Sequence, residues 1–214
     1  MSRPQMAPEP TPRRIGTTPE QIVDVAARLF ASDGYHEVGI REVAAALNIR
    51  GASIYHHFES KEAILHAICL TVTYEPVREQ LPLLDAAGTP TERLTALVRA
   101  HVLHLVRRQV EHLVGRREMA ALSPKHHTEI DDYRRQYHRR VRDTVAAGVR
   151  AGELAVPDPD VATLALLDML NGSSAWYRPH GQIDAEALAE QYVTLAIPGL
   201  LGGNSNSTSP RVAQ

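Results

Sequence analysis

Val38-Gly39-Ile40-Arg41-Glu42-Val43-Ala44-Ala45-Ala46-Leu47-Asn48-Ile49-Arg50-Gly51-Ala52-Ser53-Ile54-Tyr55-His56-His57-Phe58 is the stretch on which the fold turns. Val43, Ala44 and Leu47 lie three and four apart and make the apolar stripe of a short helix. Asn48 breaks the run. Asparagine is the non-glycine residue that best accepts a left-handed backbone, so a tight turn is predicted there, with Ile49 plugging the corner. A second short helix follows, with Ile54 and Phe58 on one face and Ser53, Tyr55, His56 and His57 on the other. Two short helices joined by a tight turn, the second rich in hydrogen-bonding side chains, fit a helix-turn-helix whose second helix reads DNA. They also fit a helical hairpin buried for packing, and the segment alone leaves both open.

The flanks supply helix signals at fixed offsets. Thr18-Pro19-Glu20-Gln21 reads as a capping box with proline at the first helical position, so a helix over 19–33 is predicted, ended by Gly34. Ser60 caps a helix carrying Ile64, Leu65, Ile68 and Val72 towards Pro76; it reads as a lever between a small N-terminal unit and the rest. Pro82 and Gly88 mark a loose joint. Thr89-Pro90-Thr91-Glu92 opens a helix with Leu94, Leu97, Val98, Val102 and Leu105, and the pattern breaks around Gly115. Ser123-Pro124 opens a helix to about residue 151, with Ile130, Tyr133, Tyr137, Val141 and Val145 inward. Asp158-Pro159 starts one with Val161, Leu164, Ala165 and Leu167, and Asp184 caps the last, with Leu188, Tyr192, Leu195 and Ala196. No alternating strand pattern occurs. The fold class is all-α, with about nine helices. Residues 1–16 read as a disordered arm, 17–64 as a helix-turn-helix unit, 65–201 as a larger helical domain and 202–214 as a disordered tail.

Hydrophobic residues make up 43% of the 214, enough for a sizeable core, and the net charge is -2. Residues 1–58 hold six Lys or Arg and six Asp or Glu, so a basic face at this end must come from placement rather than composition. Cys69 is the one cysteine and sits in an apolar run, where a buried thiol is expected. No apolar stretch reaches membrane-spanning length and no signal-peptide core is present, which predicts a cytoplasmic protein.

The stretch Ile22 to Ile68 resembles the DNA-binding domain of the TetR family of bacterial repressors. The resemblance is carried by Ala26-x-x-Leu29-Phe30, Gly34-Tyr35, Val43-Ala44, Ile54-Tyr55-His56-His57-Phe58 and Ser60-Lys61-Glu62. Two positions depart from the pattern. Gly39 stands where a Ser or Thr usually caps the second helix, and Arg50 where one often caps the third. The resemblance implies that Arg41, Ser53, Tyr55, His56 and Lys61 contact DNA, with Arg50, Gly51, Ala52 and Ser53 as candidates for base contacts. It implies a homodimer built from the last two helices, acting on a double-stranded, near-palindromic operator. It implies a transcriptional repressor released when a small molecule binds the C-terminal domain and favours the DNA-incompetent state.

The second half offers a ligand chemistry. Residues 99–150 hold twelve Lys or Arg against six Asp or Glu, which suits either an anionic partner or a solvated face. Trp176-Tyr177-Arg178-Pro179 and Gln191-Tyr192 resemble the ends of TetR-type repressors of steroid and fatty-acid breakdown that answer to coenzyme A (CoA) thioesters. Arg116, Arg117 and Arg178 are then candidates for phosphates and Trp176 for stacking on adenine; Met119, Tyr133, Tyr137 and Met169, with Leu113 and Leu122, are candidates for an acyl tunnel. A different apolar or drug-like effector fits the same residues, as does Trp176 in interface core. His101, His104, His112, His126, His127 and His138 are read as solvated, without the convergence a metal needs. No cofactor and no catalytic residue is expected. The remote alternative, a helical acyl-transfer enzyme, would rest on Cys69 with His66 three before it.

Overall fold

Thr18 accepts from the Gln21 amide while Gln21 accepts from that of Thr18, so α1 (Pro19–Asp33) begins and ends where its capping signals put it. The structure is a computed structural model that describes residues 17–179 and 181–203. The arm 1–16, with Arg13 and Arg14, and the tail beyond residue 203 lie outside the described residues. Nine α-helices run through the described part, and no strand occurs among its residues.

α2 (Ile40–Ala46) and α3 (Gly51–Tyr55) follow α1. Asn48 sits between them at φ 53°, the left-handed turn its side chain tolerates. α3 is shorter than its sequence suggests: the chain leaves the helix at His56, and the Phe58 amide closes back on the Ile54 carbonyl at 3.0 Å. α4 (Lys61–Glu79) starts at the Ser60 cap and continues through Pro76 rather than stopping before it. A 3-10 turn over Leu81–Asp85 then leads to α5 (Pro90–Arg107). The break expected near Gly115 falls earlier, at Arg108, and α6 spans Gln109–Arg117. Gly115 is inside α6 because α4 crosses closely there; a Cβ on it would lie 3.2 Å from Val72 Cγ2. α7 (Pro124–Arg150), α8 (Pro159–Trp176) and α9 (Ala185–Thr194) complete the set, and α9 widens into a π-type turn over Leu195–Leu200.

Two separate apolar cores result. The first joins α1 to α3 with the first half of α4, around Ile22, Phe30, Ile54, Leu65 and Ile68, and it also takes in Val114, Leu122 and Ile130 from α6 to α7. The second lies among α5, α7, α8 and α9, around Leu97, Val102, Val141, Leu166 and Leu188. α4 therefore belongs to both halves of the chain, and a boundary at residue 64 cuts through it. On α8 the inward face differs from the expected one. Ala162, Leu166 and Leu170 are buried, whereas Val161 and Leu164 are 61% and 54% exposed. The helix is apolar on both sides, so periodicity alone does not orient it.

Candidate DNA interface and ligand cavity

α3 buries Ile54 alone and turns its other side chains outward. Arg50, Ala52, Tyr55 and His56 are exposed, Gly51 and Ser53 partly so, and Arg41 is exposed on α2. These seven candidates thus share the surface of the two short helices. Arg50 occupies the cap position of α3 and makes no cap hydrogen bond, leaving its guanidinium free of the helix end. Gly39 at the start of α2 has no side chain to offer, but Glu42 still accepts from its amide at 3.0 Å, so half of the capping box survives.

Lys61 is engaged elsewhere. Its ammonium donates to the carbonyls of Tyr35, His36 and Val38 at 2.9, 3.5 and 3.1 Å and lies 4.3 Å from the centre of the Tyr35 ring. An ammonium has three protons, and three carbonyls meet them. The side chain pins the loop between α1 and α2 to the first turn of α4. Its backbone amide stands at the N-terminus of α4, a position whose geometry suits a phosphate.

A cavity of about 720 Å³ opens among α4 to α8. Val72, Pro76, Tyr133, Leu164 and Leu167 give it apolar walls, and Arg116, Arg134, Arg135 and Asp168 bring charge. Arg135 is paired with Asp132, whereas Arg116 and Arg134 form no ion pair among the described residues. Further in, Tyr137 donates to Gln80 Oε1 at 2.7 Å and meets His101 Nδ1 at 2.9 Å. The phenol has one proton and gives it to Gln80, so His101 donates from Nδ1 and its Nε2 is bare; the atom placed 3.3 Å from that nitrogen is Asn171 Oδ1, and the amide satisfies it with oxygen and nitrogen exchanged so that NH2 faces the ring. Burial pushes His101 down to about 4 and holds His112 well below the ordinary histidine range, so both are neutral at pH 7. The Nε2 atoms of His112 and His138, both on the lining, are buried without a hydrogen-bond partner.

The histidines are thus the main correction to the sequence reading. His101 and His104 are 7% and 2% exposed, because their helix faces the second core rather than solvent. His126 is tied to Glu62, and only His127 pairs at the surface, with Asp131. Of the eight proposed ligand residues, Arg116, Tyr133 and Tyr137 line the cavity. Arg117 instead donates to the Phe30 carbonyl and to Glu118, joining α6 to α1. Met119 packs on the first core and Met169 on the second, Leu122 is buried in the first core, and Leu113 is off the lining. Trp176 is 50% exposed at the end of α8, with its ring 6.5 Å from that of Tyr192, and Arg178 folds back onto the carbonyls of Trp176 and Tyr177. The expected gathering of Trp176, Arg178, Arg116 and Arg117 around one ligand does not occur within one subunit. Asp168 and Asn171, polar residues three apart in the largely apolar middle of α8, are the signal that would have pointed to this wall.

Cys69 is buried, and burial pushes its thiol up to about 11, so it carries no thiolate for covalent chemistry. No helix of the described residues is long and apolar enough to cross a membrane.

Residues 22–68 match the bacterial regulatory proteins of the tetR family, and residues 87–200 match the tetracyclin repressor-like C-terminal domain. The chain is similar to the HTH-type transcriptional repressor KstR2 of Mycolicibacterium smegmatis, 28% identical over 198 residues that cover 91% of this chain and 96% of the relative. Among solved structures it is similar to the TetR family transcriptional regulator PfmR from Thermus thermophilus, at 31% identity and a TM-score of 0.77, covering 84% of this chain and 98% of the other. AibR in complex with isovaleryl coenzyme A and operator DNA is similar at 28% identity and a TM-score of 0.73, with 84% and 98% covered.

Proposed function

Because the chain belongs to the TetR family and is a ligand-responsive transcriptional repressor that binds operator DNA as a dimer, we propose that its effector is a CoA thioester held in the cavity among α4 to α8. The observation that carries this reading is the cavity's division of labour. Arg116 and Arg134, without an ion pair among the described residues, lie on the same lining as apolar Val72, Pro76, Leu164 and Leu167, with neutral polar groups further in. A thioester of CoA has the matching parts: phosphates for guanidinium groups and an acyl group for the apolar wall. The Nε2 atoms of His112 and His138, which meet no protein partner among the described residues, stand on the lining where a polar group of an occupant would reach them. Similarity to AibR, solved with isovaleryl coenzyme A and operator DNA, supports the same class.

The dimer is proposed to form through α8 and α9. Val161, Leu164 and Trp176 on α8 and Leu195 just past α9 are all at least half exposed, in a stripe that Asp168 and Asn171 interrupt. Exposed large apolar side chains on both elements support an association surface here. Leu164 lies both on that stripe and on the cavity lining, so the cavity mouth borders the proposed interface. Trp176 and Arg178, at the far end of the stripe, are then proposed to serve the ligand from the subunit boundary. Arg41, Arg50, Gly51, Ala52, Ser53, Tyr55 and His56 are proposed to face DNA, with the Lys61 amide on a phosphate.

A thermal-shift screen of acyl- and steroid-CoA thioesters, with the free acids and CoA as controls, tests the effector class. Stabilisation by thioesters beyond either control is expected. Stabilisation by free acids alone would remove CoA from the reading.

A further inference from the structure

The first turn of α4 carries two neighbours that hold two different parts of the molecule. Lys61 holds the loop 35–38 between α1 and α2. Glu62 holds the start of α7: its carboxylate accepts from the backbone amide of Ser123, the α7 cap, at 2.8 Å and meets His126 Nδ1 at 2.8 and 3.0 Å. One turn further along both helices the rings of His66 and His126 stack at 3.8 Å with 2° between their planes, and His66 Nε2 lies 3.3 Å from Glu129 without the geometry of a hydrogen bond. Two side chains from each helix therefore interlock, all partly buried. Burial raises the Glu62 carboxyl, but the Ser123 amide and His126 outweigh it and hold it below the usual carboxylate range, so it is ionised at pH 7.

We propose that Glu62 is a positioning residue for paired half-site recognition: it fixes where α3 stands on the rest of the subunit by clamping the first turn of α4 to the first turn of α7. The alternative tie is apolar. Leu65 and Ile68 of α4 share the first core with Ile130 of α7, but apolar contact is non-directional and tolerates sliding. Charge-assisted hydrogen bonds to a carboxylate are directional and fix register. α7 continues past Glu129 into the cavity wall at Tyr133, Arg134, Tyr137 and His138, so the clamp lies between the wall and the α2–α3 unit. A dimer reads two half-sites at a set separation, and a small slip at α4 is doubled across the two-fold axis.

The test needs no effector. DNA is selected from a random pool by the full-length wild type and by Glu62→Gln and His126→Asn. Wild type is expected to select paired half-sites at one preferred separation. Both variants are expected to keep the half-site sequence, because α3 is untouched, while tolerating neighbouring separations and binding the wild-type site about tenfold more weakly. Their affinity for non-specific DNA should be unchanged, which a loss of folded protein would not leave so. If Glu62→Gln melts below the assay temperature, His126→Asn decides, since it removes only the ring. Paired sites at an equally strict separation in the variants would overturn the clamp and leave the dimer standing. Loss of the half-site sequence itself would also overturn it, making Glu62 a support of the first core. Unpaired half-sites from wild type would overturn the dimeric reading and the clamp with it.

Discussion

The first core and the cavity region solve opposite problems with the same kind of helix. In the first core the apolar residues go in and the candidate DNA-facing ones go out: Phe30 and Ile54 are fully buried while Arg50 and Tyr55 face solvent. In the cavity region the polar residues go in. Tyr137, Gln80 and His101 are buried and joined by hydrogen bonds, and their neighbours include imidazole nitrogens with no partner. One region is a finished scaffold that presents its chemistry on the surface. The other keeps its polar groups inside, where the Nε2 atoms of His112 and His138 meet no protein partner among the described residues. The two regions differ in where their polar groups stand, on the surface of the short helices in one and inside the helix bundle in the other.

The largest effect is expected where the scaffold is driest. Phe30→Ala should cost about 3–5 kcal/mol of stability and take operator binding with it, measured by denaturant unfolding and a DNA shift. Retained operator binding at full stability would mean the first core is not the scaffold described. Tyr137→Phe should cost about 1–3 kcal/mol, because it leaves Gln80 Oε1 and the His101 proton without their partner. Operator binding by the protein that remains folded should be kept. A neutral outcome would show that the hydroxyl is not part of the buried network. Arg50→Ala should leave stability within about 0.5 kcal/mol, since no cap bond is lost. It should still weaken operator binding by about 1–3 kcal/mol if the guanidinium reads a base edge. An unchanged operator affinity would move recognition to the other exposed residues.

A further effect separates the regions by pH. His101 and His104 are pushed down to about 4, chiefly by burial. Their folded values lie below the unfolded value near 6.5, so the unfolded chain binds more protons between them. Stability should therefore fall as pH drops from about 6.5 to 4. Glu62 acts in a lower window: its depressed carboxyl contributes above its unfolded value near 4.5 and loses that contribution as pH falls through the folded value. Thermal melts of wild type and His101→Asn across this range should diverge above pH 4.5. Parallel curves would mean that His101 is not buried neutral.

Much of the fold is legible in the sequence because its signals are local. Thr18, Ser60, Thr89, Ser123, Asp158 and Asp184 each cap the helix they precede, and each bond spans two or three residues. The outward residues of α3 follow from one buried Ile54. The cavity is not legible in the same way. His101 and Asn171 are 70 residues apart, and Tyr137 and Gln80 are 57 apart, so no spacing reports their meeting. Periodicity also fails where both faces are apolar, as on α8, and where a long cation is diverted, as with Lys61 on three loop carbonyls or Arg117 on the Phe30 carbonyl.

Release of the operator by a CoA thioester in the cavity is read most directly by fluorescence anisotropy of labelled operator bound by the wild type and by an Arg116→Ala/Arg134→Ala variant. Each complex is titrated with an acyl-CoA and with the matching free acid. The expected result is release of the wild type by the thioester and not by the acid, with at least about tenfold more thioester needed for the variant. Equal release by the acid, or a variant that responds like the wild type, would contradict it.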